Sequence, residues 1–171
     1  MSMINMGRGK LLRVTTFTSS GTWTNYDDVG AVMVELCGGG GGFSGGPASG
    51  GTSSFGAHLS ATGGTGTNST SSAGTGGTGS GGDLNIKGGS GATGVSALGG
   101  SSFFGGCGNV ASSGAYGSGQ VIGSVSGGGA GGYSRKYIAS SALGSTEAVT
   151  VGTGASATAG AGIVIVYEYA K

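Results

Sequence analysis

Charge, proline, cysteine and helical periodicity are all scarce in this chain. Only 8% of its residues are charged, and seven Lys/Arg against six Asp/Glu leave a formal net charge of +1. No basic cluster is larger than Arg135-Lys136, so the chain has no electrostatic footprint for nucleic acid, whose binding rests on phosphate neutralisation. One proline and the lack of a strict three-residue glycine repeat exclude collagen. Two cysteines, Cys37 and Cys107, are too few for a disulfide framework or a zinc cluster, and buried free thiols are expected. The longest apolar run, residues 163–167, falls far short of the roughly 20 residues that span a bilayer, so no membrane insertion is expected. Residues 1–17 carry charge without a following apolar stretch, which is not a secretory pattern and implies synthesis in a cytoplasm.

Enzyme chemistry is short of material. The carboxylates are Asp27, Asp28, Glu35, Asp83, Glu147 and Glu168, and His58 is the one histidine. Asp27-Asp28 reads as a turn, where Asp side chains bond to nearby backbone, and a glycosidase needs a well-placed carboxylate pair. The segment GFSGG (42–46) puts Ser44 in a G-x-S-x-G frame, but a nucleophile elbow leads directly into a helix, and SGGPASGG is no helix. The pattern G-x-G-x-x-G occurs at Gly74, Gly76, Gly79 and again at Gly127, Gly129, Gly132. Neither opens a helix whose N-terminus would receive a phosphate. No catalytic residue, cofactor or metal is expected.

What the chain has is glycine: 46 of 171 residues, against about 7% in ordinary proteins. Residues 11–37 hold two β-rich stretches, 11–18 and 31–37, separated by turn formers. In the second, Val32, Val34 and Leu36 share one face, while Ala31, Met33 and Cys37 make the other nearly as apolar, so this strand should be buried on both sides. Residues 148–152 and 163–169 form a matching pair near the carboxyl end, and the two ends together should make a small antiparallel sheet. Between them, residues 38–132 show no helical stripe, and interior glycines cost a helix about 1 kcal/mol each. The expectation is an N-terminal arm (1–10) and one all-β, sandwich-like domain (11–171) with almost no helix. Its strands at 11–37 and 148–169 frame a glycine-rich middle of polyglycine-II-like or short β-strands. Gly38, Gly39, Gly40, Gly41 and Gly42 are its structural glycines, packed where a side chain would collide. A GGTSSFG unit (50–56) is echoed by GGSSFFG (99–105), with related units at 81–89 and 131–138.

Several of these motifs together carry a resemblance: FTSSGTWT (17–24), AVMVELCGGGGG (31–42), GGTSSFG with SATGG (50–64), SGGDLNIKGGSG (80–91), GGSSFFGG (99–106), GGYSRKYI (131–138) and GIVIVYEY (162–169). The chain resembles the glycine-rich distal domains of bacteriophage tail fibres and tail-fibre adhesins. The resemblance implies a virion tail component, homotrimeric and joined to other tail proteins, that recognises a bacterial surface saccharide or outer-membrane protein through loops on a glycine scaffold. A structural virion subunit of the baseplate, collar or capsid decoration is the alternative. Rigid aromatics are the residues best suited to recognition, and the candidates are Tyr116, Tyr133 and His58 first, then Phe43, Phe104 and Tyr137, with Phe55 and Phe103 beside them. The same side chains are also the material of a small core.

Overall fold

A computed structural model describes residues 9–107, 114–120 and 125–171; most of the expected N-terminal arm lies outside the described residues. The fold is nearly all-β. Its strands are β1 (Leu11–Phe17), β2 (Gly21–Thr24), β3 (Val29–Cys37), β4 (Gly42–Phe43), β5 (Pro47–Ala48), β6 (Ser53–Phe55), β7 (Leu59–Ala61), β8 (Gly79–Ser80), β9 (Leu84–Ile86), β10 (Tyr133–Ala139), β11 (Thr146–Thr150) and β12 (Ile163–Ala170). The sole helical element among the described residues is a 3₁₀ turn at Ser140–Ala142.

Two five-stranded antiparallel sheets make a sandwich, one in the order β1-β12-β3-β10-β9 and the other β2-β11-β6-β7-β8. Period-two patterning explains the core between them. Val32, Val34 and Leu36 of β3, Val164 and Val166 of β12 and Ile138 of β10 face Trp23, Phe55, Leu59, Ala61 and Val149 of the second sheet. The sequence-expected strands at 11–18, 31–37 and 163–169 are present, and the ends of β1 and β12 are joined where Gly9 N–H donates to the Ala170 carbonyl at 3.3 Å. β11 departs from expectation: it pairs with β2 and β6 in the second sheet and not with the terminal strands. Burial is also uneven across β3, where Met33 is half-buried while Ala31 and Cys37 are buried.

The glycine segments leave one end of this sandwich as a bundle without β-ladders. Residues 127–132 run through it. Their successive N–H groups serve three neighbours in rotation: Gly127 and Ala130 donate to Ala92 and Gly89, Gly128 and Gly131 to Gln120 and Gly117, and Gly129 and Gly132 to Thr65 and Thr62, at 2.7–3.0 Å. Three more neighbours donate back, through Gly74 and Gly77, Gly41 and Gly38, and Gly100. Partners that recur every third residue are the mark of a helix with three residues per turn and no internal bonds, which is polyglycine II. Each buried amide thereby finds a partner on another segment. Residues 38–42 are packed in the same way. A Cβ on Gly38, Gly39, Gly40 or Gly41 would overlap the carbonyl oxygen of Thr62, Thr153, Ser118 or Thr65 respectively, and one on Gly42 would overlap the Gln120 side chain. None of these five has a positive φ; close approach alone demands glycine there.

Candidate functional site

The bundle fixes a set of turns at the end opposite the sandwich. Segments 38–42, 62–66 and 88–92 run outward and return through 50–51, 74–78 and 98–100, so the turns 43–48, 67–73 and 93–97 sit together at the tip. β4 and β5 form the first as a hairpin, anchored where the Phe43 N–H donates to Gln120 Oε1 at 2.8 Å. In the second, Thr67 Oγ1 donates to the Ser72 carbonyl at 2.8 Å and accepts from Ser69 N–H at 3.1 Å. The third is closed by Ala92 N–H donating to the Leu98 carbonyl at 2.8 Å, with Ser96 in the left-handed region at φ 57°. The second and third turns are also tied to one another. Gly94 N–H donates to the Thr70 carbonyl and to Ser126 Oγ, and Ser126 N–H donates to the Ser69 carbonyl, at 3.0–3.1 Å. The result is a small-residue surface of Ser, Thr, Gly and Asn with two large apolar side chains standing from it, Val95 (65% exposed) and Leu98 (64%). Preorganised turns of this composition lose little entropy on binding.

The sequence-selected residues are distributed over three places. Phe43 alone is at the tip, half-buried in the β4–β5 hairpin. Tyr133, Phe103 and Phe104 meet beside the outer face of the first sheet, and the backbone of Tyr116 is tied next to them. Tyr133 is stacked on Phe103 with ring centroids 3.9 Å apart and meets Phe104 edge-on at 5.9 Å, while Ser102 Oγ bonds to both the Gly105 and Tyr116 carbonyls. Tyr133 is only 1% exposed, which corrects its expected role as a recognition residue. Its hydroxyl donates to Glu35 Oε1 at 2.6 Å, and burial together with that carboxylate raises its pKa. Tyr116 is exposed on the wall of a cleft of about 440 Å³ with Ala115, Gly154, Ser156 and Gly160. Tyr137 stands on the same sheet face and is 61% exposed.

His58 lies elsewhere, in the β6–β7 turn. Its Nε2 is 3.2 Å from Glu147 Oε1, and its ring is tilted against Phe55, which is buried in the core. Half-buried and paired, His58 closes the second sheet's flank. Ser44 is on the tip hairpin, remote from that turn. Among the described residues no three of His, Cys, Asp and Glu gather in a metal-binding group, and no helix is long and apolar enough to cross a membrane.

Charged groups serve the fold. Glu168 is buried with Oε1 accepting from Trp23 Nε1 at 3.1 Å and Oε2 from Arg13 Nε at 2.7 Å. The same guanidinium grips Asp28 at 2.8 and 3.0 Å, holding that carboxyl below its ordinary pKa and raising its own. Cys37, buried where β3 enters the bundle, has its thiol pushed up to about 12 by burial.

Val95 and Leu98 were not singled out by the sequence; the available signal was two large apolar residues isolated in a Gly/Ser/Thr/Ala run, where no core strand would use them. No protein-family model, curated protein or solved structure matches the chain.

Proposed function

We propose that this chain is a bacteriophage tail-fibre or tail-tip protein that binds a receptor on the bacterial surface, a saccharide or an outer-membrane protein, without catalysis. It acts in the virion as a homotrimer joined to other tail proteins. The observation that carries the reading is the tip: interlocked turns of small polar residues, with Val95 and Leu98 exposed, held by a polyglycine bundle at the end remote from where β1 begins and β12 ends. That arrangement separates a contact surface from an attachment end. The contact surface of this reading is formed by the turns 43–48, 67–73 and 93–97 with Phe43; among the other aromatic candidates Tyr133 is buried, while Tyr116 and Tyr137 are exposed away from the tip.

The structural-subunit reading has one observation in its favour, the apolar outer face of the first sheet, which suits assembly. Adsorption competition separates the two. Purified protein added in excess before phage should protect host cells at low and high salt alike, because a nearly uncharged tip gains little from screened charges. A Val95→Asp/Leu98→Asp protein should assemble normally and lose protection. Correctly assembled wild-type protein that binds no host cell contradicts the adhesin and leaves the structural subunit.

A further inference from the structure

The two sheets of the sandwich present different chemistry to the outside. On the second sheet the outward positions are Thr22, Thr24, Thr146, Ala148 and Thr150, continued by Ser54, Ser60 and Ser80. That is the polar-out pattern of a solvated antiparallel sheet.

The first sheet breaks the pattern. Its pairing aligns the outward residues in rows across the strands: Leu11, Tyr169, Ala31, Ala139; then Val14, Tyr167, Met33, Tyr137; then Thr16, Ile165, Glu35, Arg135, Leu84; then Ile163, Cys37, Tyr133, Ile86. Phe103 and Phe104 cover Tyr133 in the last row. The first three rows carry apolar and aromatic side chains at the surface, with Tyr137 61% and Val14 50% exposed. Small Ala31 lets the Tyr137 and Tyr169 rings approach to 6.5 Å across β3.

The only formal charges among these rows are Glu35 and Arg135, adjacent in one row with Arg135 Nη1 4.0 Å from Glu35 Oε1. Glu35 also accepts from Tyr133 and Tyr167 hydroxyls at 2.6 and 3.1 Å. The charges are thus answered within the face. A strongly acidic or basic partner would find little to pair with, whereas another copy of this chain, with a net charge of only +1, would fit. Four strands about 4.8 Å apart and seven residues long at about 3.4 Å each give roughly 19 by 24 Å, on the order of 450 Å² in projection and so a little over half of the about 800 Å² per partner of a stable interface.

We infer that the outer face of the first sheet is a subunit interface, covered in the assembled protein by another copy of this chain. Tyr137, Tyr169, Val14 and Met33 form its apolar centre, and the Glu35–Arg135 pair is its polar mark. This rests on the homo-oligomer proposed above but not on receptor binding.

The test is light scattering of the full chain at micromolar concentration, as wild type and as Val14→Glu, Tyr137→Glu and Thr22→Glu. The first two substitutions fall on exposed positions of the apolar face and the third on the polar face, so each monomer should keep its fold by circular dichroism. The expected result is an oligomeric wild type and Thr22→Glu protein, with Val14→Glu and Tyr137→Glu reduced to monomer mass. A monomeric wild type overturns the interface, as does an oligomer that both face variants leave intact. Host-cell binding measured on the same samples keeps the two proposals apart: a wild-type monomer that binds cells overturns the interface and the homo-oligomer but leaves receptor binding standing, and an oligomer broken by the face variants that binds no cells overturns only the adhesin.

Discussion

One methyl group at Gly40 meets the Ser118 carbonyl oxygen inside the bundle, with no flexible side chain in the way to yield. Gly40→Ala should therefore fail to give folded protein, and Gly40→Val likewise, whereas Gly46→Ala, in open space on the tip hairpin, should keep the wild-type melting temperature; soluble yield and thermal melts check both. Buried polar groups are the other decisive residues. Glu168→Ala leaves the buried Trp23 N–H without its acceptor and Arg13 without its inner partner, a loss expected at about 3–5 kcal/mol and read as a lower denaturation midpoint. Alkali should weaken the fold through the groups that burial keeps neutral. Cys37, Tyr133 and Tyr167 all have raised pKa values in the folded chain. Their contribution is complete below the ordinary thiol and phenol values and disappears as pH rises above them, to about 12 for Cys37. Melting temperature should fall steadily above about pH 9, and Tyr133→Phe should flatten that fall. At this scale the sequence disclosed that the 38–42 glycines are close-packed, because a run of five leaves no side chain to fill space. It did not disclose that Tyr133 is internal, since what covers it, Phe103, comes from a segment 30 residues away.

Elements were legible in proportion to their side chains. β1, β3 and β12 announce themselves by their density of apolar and β-branched residues, but β11 carries only Val149 into the core, too little to reveal which sheet it joins. The repeat TGGTG at 62–66 and 75–79 was a further signal. Thr62 and Thr65 stand on exposed positions three apart and meet Thr78 and Thr75, each Oγ1 accepting the partner's N–H at 2.8 Å, as a three-residue turn requires. The echo of GGTSSFG in GGSSFFG has partial structural meaning. Both units leave the bundle towards the sandwich, yet Phe55 enters the core whereas Phe103 and Phe104 pack outside on Tyr133. The rotation of partners along 127–132 makes a sharp prediction. One glycine inserted between Gly129 and Ala130 turns every following N–H by a third of a turn, towards the wrong neighbour, and should abolish folding. The same insertion in the turn 67–73 should be tolerated; proteolysis resistance of the two proteins distinguishes them.

For the whole molecule, the order in which glycine segments pack could not be read from sequence, because backbone hydrogen bonds between them select partners without any side-chain mark. The tip surface was hidden for the same reason: Val95 and Leu98 gain meaning only when the bundle places their turn at its end. The bundle is a stiff scaffold that keeps the tip turns and the outer ends of β1 and β12 in a fixed relation. Amide hydrogen exchange tests this most directly. If the glycine segments are cross-bonded as described, amides of residues 38–41 and 127–132 will be protected to the same degree as those of β3 and β12, and the tip turns 43–48, 67–73 and 93–97 will exchange first. Exchange throughout 38–41 and 127–132 at the rate of an unfolded chain would contradict the account.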